Sequence, residues 1–269
     1  MAYLDRDRLM TLLLRVDRGY QLTNEEAHWV REQRASRPFY VGITELPQSI
    51  RILIKLTNLD LSDTRLIALP DSIGELTNLT NLDLHNTEIT ALPDSIGALT
   101  NLTRLDLRNT EITALPDSIG TLTNLAVFRL SGSLLTSLPN SIGTLTNLIH
   151  LDLQNTKITA LPDSIGTLTN LSVFNLSETD IYDLSDSIGS LTNLCELYLG
   201  NTGLSALPDS IGDLSNLRYL DLSNTGTTAL PDAVRNLTAL ETMFFIRHEA
   251  PPGTRTHRRF AFPAKSVSQ

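Results

Sequence analysis

Proline follows leucine at positions 47, 70, 93, 116, 139, 162, 208 and 231, in steps of 23 residues whose one missing member is Ser185. A fixed period of that length means one supersecondary unit copied in tandem. A single unit of this size cannot bury its own apolar face, so stacked neighbours must supply the cover. The copy that begins at Leu79 reads L-T-N-L-D-L-H-N-T-E-I-T-A-L-P-D-S-I-G-A-L-T-N and starts again at Leu102. The chain is therefore constrained to a solenoid, and any function belongs on a repeated surface.

Within the unit, Leu82 and Leu84 alternate with polar residues, the period of a short strand with one buried face. One strand per repeat builds a parallel sheet. Ile89, Leu92, Ile96 and Leu99 then recur at three- and four-residue steps, so the return limb also turns apolar groups inward, as a short helical turn. Pro93 suits the start of that turn, where Asp94 or Ser95 is expected to cap its free N–H groups. Seven glycines, from Gly74 to Gly212, are expected to end the turns in a left-handed conformation. The outer units carry Arg51 and Arg235 in that column, as terminal repeats often depart from the pattern.

These residues resemble the leucine-rich repeat family in its 23-residue L-P-x-S-I-G-x-L-T-N-L-x-x-L-D-L form. That form is similar to repeats of plant intracellular Ras-group-related proteins, plant immune receptors and free-standing bacterial repeat proteins. The resemblance spans roughly Ile43 to Phe245. It implies an α/β solenoid, a curved horseshoe with a parallel sheet on its concave face and helical turns on its return limb. It further implies a role in binding other proteins and no chemistry. One column departs from the family pattern: where Asn usually bonds backbone along the loop stand Thr64, Thr87, Thr110, Ser133, Thr156, Thr179, Thr202 and Thr225. A hydroxyl can donate and accept, so such bonding can survive the exchange.

Composition narrows the function further. Of the 269 residues 41% are hydrophobic but only 5% aromatic, which makes the core mostly leucine and isoleucine. The net charge is −9, yet residues 247–269 carry five Lys/Arg against one Glu, and residues 1–40 carry seven against six, leaving −14 for residues 41–246. An acidic solenoid repels phosphate backbones, so the repeats are not expected to bind nucleic acid. No apolar run is long enough for a membrane span and the charged start does not read as a signal peptide, so a cytoplasmic protein is expected. One cysteine, Cys195, allows no internal disulfide and no thiolate metal site. There is no P-loop, no GxGxxG after a strand, no HExxH and no CxxC pair. The sequence thus predicts no enzyme, no cofactor and no metal. Asp60, Asp83 and Asp106 form a column of like charges, but a flat ladder lacks the wrapped oxygen cage that calcium prefers.

The ends differ from the repeats. Leu9, Leu13 and Val16, with Met10 and Leu14 beside them, predict an amphipathic helix over 5–18 that Gly19 ends. Thr23 and Glu26 have the spacing of a capping box, opening a second helix through Ala27, Trp29 and Val30 toward Arg34. Residues 1–38 are read as an N-terminal helical cap over the first repeat, with Phe39, Val41 and Ile43 as an edge strand opening the solenoid, residues 39–247. Residues 248–269 lack periodicity and are read as a disordered basic tail.

Strand positions three, five and seven point outward between the buried leucines. There the copies differ: in the C-terminal half Val173, Tyr198, Tyr219 and Phe244 replace polar residues, interspersed with Arg129, His150, Asp152, Asn175 and Glu196. Aromatics and arginine are enriched in interface cores, and concave repeat surfaces are where such interfaces form. These nine residues are the expected partner-binding site of a monomeric protein-binding module. The other readings are the recognition part of a ubiquitin-ligase-type bacterial effector lacking its catalytic domain, and a structural spacer.

Overall fold

Alternation of leucine with polar residues becomes one short strand per repeat. The computed structural model describes residues 6–23, 25–27, 43–245 and 258–261, whose contacts cluster into two compact units, Met1–Leu135 and Thr136–Gln269. The first unit holds β1 (Asn58–Asp60), β2 (Asn81–Asp83), β3 (Arg104–Asp106) and β4 (Val127–Arg129). They run parallel in a register equal to the sequence repeat: Asn58 faces Asn81, Leu82 faces Leu105 and Asp106 faces Arg129. The second unit holds β5 (His150–Asp152), β6 (Val173–Asn175), β7 (Glu196–Tyr198), β8 (Tyr219–Leu222) and β9 (Thr242–Phe245), parallel in the same register. The leucine column at mid-strand is buried throughout, and Phe128 and Phe174 substitute for leucine there without surfacing.

Every return limb carries a five-residue 3₁₀ turn, such as Asp94–Ala98 and Asp209–Asp213. Pro93 precedes its turn in extended conformation (φ −70°, ψ 153°) and supplies no side-chain cap. The expected capping by Asp94 or Ser95 is therefore corrected: the turn closes through the backbone, and the Ser95 hydroxyl is buried without a hydrogen-bond partner among the described residues. Ser185 takes the proline conformation (φ −70°, ψ 157°) and replaces the ring's rigidity with a hydroxyl that accepts from Ser187 N at 3.2 Å.

The glycine column also differs from expectation. Among the described glycines only Gly19 and Gly132 have positive φ; the column from Gly74 to Gly212 is not left-handed. Close approach is what it serves. A Cβ on Gly74 would stand 2.6 Å from the Ser95 carbonyl oxygen, and one on Gly166 2.7 Å from that of Ser187, so adjacent return limbs pack backbone on backbone. The left-handed positions lie just before the threonine column: Asp63, Asn86, Asn109, Gly132, Asn155, Glu178, Asn201 and Asn224. Asn reaches this conformation more readily than most residues.

The hydroxyl column bonds backbone as expected. Seven threonines donate to the carbonyl three residues back, Thr110 to Leu107 at 2.8 Å for example, while Ser133 has no such partner among the described residues. Repeat-to-repeat bonding falls to another column: Asn101 Nδ2 donates to Thr77 O and Asn193 Nδ2 to Thr169 O, both at 2.8 Å.

Helix α1 (Arg6–Asp17) packs on the first repeat. The Ser49 hydroxyl donates to Leu13 O at 2.7 Å, and Asp17 Oδ1 accepts from Ser49 N at 2.8 Å. Leu13 is buried as the periodicity suggests, with Leu12 buried beside it, whereas Leu14 is exposed. The capping box forms as spaced: Glu26 N donates to Thr23 Oγ1 at 3.2 Å and Thr23 N to Glu26 Oε2 at 2.9 Å. The rest of the expected second helix and most of the edge strand, residues 28–42, lie outside the described residues. At the other end, β10 (Arg258–Ala261) pairs antiparallel with β9. This corrects the expectation of a tail without structure at those four positions, because an open sheet edge offers unpaired N–H and C=O groups to any chain that can reach it. The remaining tail, 248–257 and 262–269, lies outside the described residues. Among the described residues no helix is long and apolar enough to cross a membrane.

Candidate functional site

The outward strand positions line up in rows because the register equals the repeat. In the first unit position five runs Asp60, Asp83, Asp106, Arg129. Each aspartate has a local structural duty: it accepts the N–H two residues on, from Ser62 at 3.1 Å, His85 at 3.2 Å and Arg108 at 3.4 Å, closing the turn out of the strand. Asp152, Asn175 and Asp221 do the same in the second unit, at 3.2, 3.1 and 2.8 Å. The aspartate column is thus a turn-forming device before it is a charge ladder. Arg129, Tyr198 and Phe244 have abandoned that duty.

Like charges on strands about 4.8 Å apart cost on the order of 1–3 kcal/mol per pair, and each carboxylate of the first unit finds relief. Ser62 Oγ donates to Asp60 at 2.6 Å, and His85 Nδ1 lies 2.7 Å from Asp83 Oδ1. Asp106 is fully buried beneath three arginines: Arg108 Nε donates to Oδ1 at 2.7 Å, Arg104 Nη2 to Oδ2 at 3.0 Å, and Arg129 Nη1 stands 3.6 Å from Oδ2. Burial pushes the Asp106 carboxyl up, but the hydrogen bonds and charge of Arg108, with the charge of Arg104, outweigh it and hold the group below the usual carboxylate range. Of the nine predicted site residues, Arg129 alone lies in this unit.

The other eight fall on two rows of the second unit's sheet. Position three runs His150, Val173, Glu196, Tyr219, Thr242; position five runs Asp152, Asn175, Tyr198, Asp221, Phe244. All are half-buried. Three rings meet across these rows: the centroids of Tyr198 and Tyr219 are 4.9 Å apart and those of Tyr219 and Phe244 5.8 Å, tilted by 39° and 53°. Such pairs contribute about 0.5–1.5 kcal/mol beyond burial. The Tyr198 hydroxyl donates to Glu196 Oε2 at 2.6 Å; burial first, then that carboxylate, push the phenol well above its usual range. Asp152 and Asn175 are explained in part by their turn bonds. Asp221, set between Tyr198 and Phe244 in its row, shares the face although it is not among the nine expected site residues.

Cys195 is half-buried, with Sγ 3.5 Å from Asn193 O. Among the described residues no group of three or more His, Cys, Asp or Glu side chains could hold a metal ion.

A leucine-rich repeat region model matches residues 73–153 and 140–214, together more than half of the chain. No curated protein matched. Among solved structures, the ectodomain of the plant membrane receptor kinase GASSHO1/SCHENGEN3 from Arabidopsis thaliana, in complex with CASPARIAN STRIP INTEGRITY FACTOR 2, is 28% identical over 78% of this chain, which spans 26% of that ectodomain (TM-score 0.69). An internalin of Listeria monocytogenes is 22% identical over 88% of this chain and 73% of its own (TM-score 0.61) and shares the fold. A leucine-rich repeat protein of Leptospira interrogans is 27% identical over 82% of this chain and 74% of its own (TM-score 0.45). Strand, 3₁₀ turn and leucine column thus agree with the family match, and the chain belongs to the leucine-rich repeat family.

Proposed function

We propose that this chain is a non-enzymatic, monomeric, cytoplasmic protein-binding module whose second unit grips a partner protein through the outward face of its sheet. The observation that carries the reading is the Tyr198–Tyr219–Phe244 ladder. Two of its rings stand in a column that elsewhere closes a turn, so the fold gives no reason for aromatic residues there. Rigid, half-buried rings beside carboxylates supply contact area at low entropic cost, which is the make-up of an interface centre. His150, Asp152, Val173, Asn175 and Glu196 complete the surface. Arg129, held by Asp106, belongs to the first unit's face. Leucine-rich repeats are a common protein-binding scaffold, and the plant ectodomain similar to this chain is in complex with another factor.

Affinity capture from native lysate followed by mass spectrometry names the partner, and titration calorimetry then tests the surface. Tyr198→Ala, Tyr219→Ala and Phe244→Ala each weaken binding by roughly 1–3 kcal/mol. Changes at the exposed return-limb residues Asp163 and Asp209 leave it unaltered. Equal affinities for the two sets would move the site elsewhere.

A further inference from the structure

Within the second unit, residues 136–245 carry twelve Asp/Glu against three Lys/Arg, and Arg258 and Arg259 follow on β10, where Arg259 is registered against Phe244 at the edge of the sheet. None of the three cations within 136–245 stands on a strand of the aromatic face. Lys157 lies outside the strands, Arg218 is 3.9 Å from Glu241 and Arg235 is 3.1 Å from Asp232. On the face itself rings and carboxylates alternate. Tyr198 is registered against Asp221 and Asp221 against Phe244, while Glu196 is registered against Tyr219. A cation resting on one ring therefore has a carboxylate on the neighbouring strand, about 4.8 Å away, and a second ring within the roughly 6 Å over which a ring attracts a cation.

We infer that this alternating row of Glu196, Tyr198, Tyr219, Asp221 and Phe244 takes the guanidinium and ammonium groups of a basic, arginine- or lysine-bearing segment of the partner protein. The inference rests on the proposed binding role of this face and adds to it the chemistry of the occupant. Ring faces favour a cation through their quadrupole, and arginine also stacks flat on them. The carboxylates add charge selectivity, repelling acidic segments. The turn duty of Asp221 leaves this intact: one oxygen accepts from Ser223 N at 2.8 Å.

A fluorescein-labelled octa-arginine peptide, titrated against the full chain at physiological salt and followed by anisotropy, reads the site directly. Tyr219→Ala and the double change Glu196→Gln with Asp221→Asn are each expected to weaken it about five- to thirtyfold, the range of a cation–ring contact. Asn175 already performs the turn duty of Asp221 with an amide, so the double change preserves the backbone. Asp163→Asn with Asp209→Asn removes the same charge from exposed return-limb positions and is expected to leave the titration unchanged. Equal losses from the two double changes would overturn the inference, leaving only general acidity. Binding that appears only after Arg255, Arg258, Arg259 and Lys265 are changed to Gln would overturn it too, assigning the face to the chain's own tail. A captured partner that loses affinity with Tyr219→Ala while octa-arginine fails to bind would sink this inference and leave the proposed function standing.

Discussion

The two units repeat one backbone plan but treat charge on the sheet in opposite ways. In the first, each position-five aspartate is answered from within: Asp60 by Ser62, Asp83 by His85, and Asp106 by Arg104, Arg108 and Arg129. In the second, the outward rows hold Asp152, Glu196 and Asp221 with no lysine or arginine on strands β5 to β9, and three rings stand among them. The first face sets arginines around its buried carboxylate. The second gives its carboxylates hydroxyl and backbone donors, Tyr198 to Glu196 and Ser223 N to Asp221, but no lysine or arginine on strands β5 to β9.

The largest way to break this contrast is to remove the buried carboxylate. Asp106→Ala removes the acceptor shared by three half-exposed arginines and is expected to cost about 1.5–3 kcal/mol, the range of hydrogen bonds to a charged group. Urea unfolding reads this as a lower midpoint; an unchanged midpoint would show that the arginines are merely surface charges. The packing of the return limbs is shared by both units and supplies the control. Gly97→Ala in the first and Gly166→Ala in the second each force a Cβ to within 2.8 Å of a serine carbonyl, for an expected loss of about 1–3 kcal/mol. Unequal losses would mean that the units stack differently.

On the second face the expectation is reversed. Tyr219→Ala is expected to cost no more than about 1.5 kcal/mol of stability, the worth of an aromatic pair, while abolishing much of the binding. Equal damage to folding and binding would make the ladder a brace like Asp106. Acid titration separates the units as well. A carboxyl held low in the folded state contributes stability above its unfolded pKa of about 3.9 and loses it as pH falls through that value toward the folded one. Thermal melts below pH 4 are therefore expected to lose less in Asp106→Asn than in the parent chain. The smallest effect concerns Glu178, which sits at φ 60° in a column otherwise filled mostly by asparagine. Glu178→Gly relieves that conformation and is expected to raise stability by roughly 0.5–1 kcal/mol; calorimetric melting with no gain would show that the Gln154 hydrogen bond to Glu178 at 3.1 Å matters more.

Much of this was legible in the residues. The 23-residue proline period, the LxxLxL strand and the apolar return limb dictate a stack of strand and turn, because only stacking buries leucines that recur on both limbs. The Thr23–Glu26 capping box was equally readable, since its bonds are local. The candidate face was legible as a list of departures, Tyr198, Tyr219 and Phe244 among them, but not as a ladder, because ring distances depend on how strands of different repeats align.

What only the tertiary structure decided are the things one repeat does to the next. Sequence placed glycine at a turn end and suggested a left-handed residue; the stack shows that glycine is there because a neighbouring carbonyl leaves no room for a Cβ. Sequence showed a column of aspartates, its repulsion, and Arg104 and Arg108 as the compensating charges; the folded structure adds that each aspartate accepts a backbone N–H and that Asp106 is buried with Arg129 of the next repeat as a third cation. The pairing of β10 with β9 likewise answers to an edge that exists only once β9 is laid down. Local rules of backbone and periodicity act within a repeat and can be read along the chain, whereas close approach, the reach of Arg129 to Asp106 and edge pairing act between repeats and are fixed only when the copies are stacked.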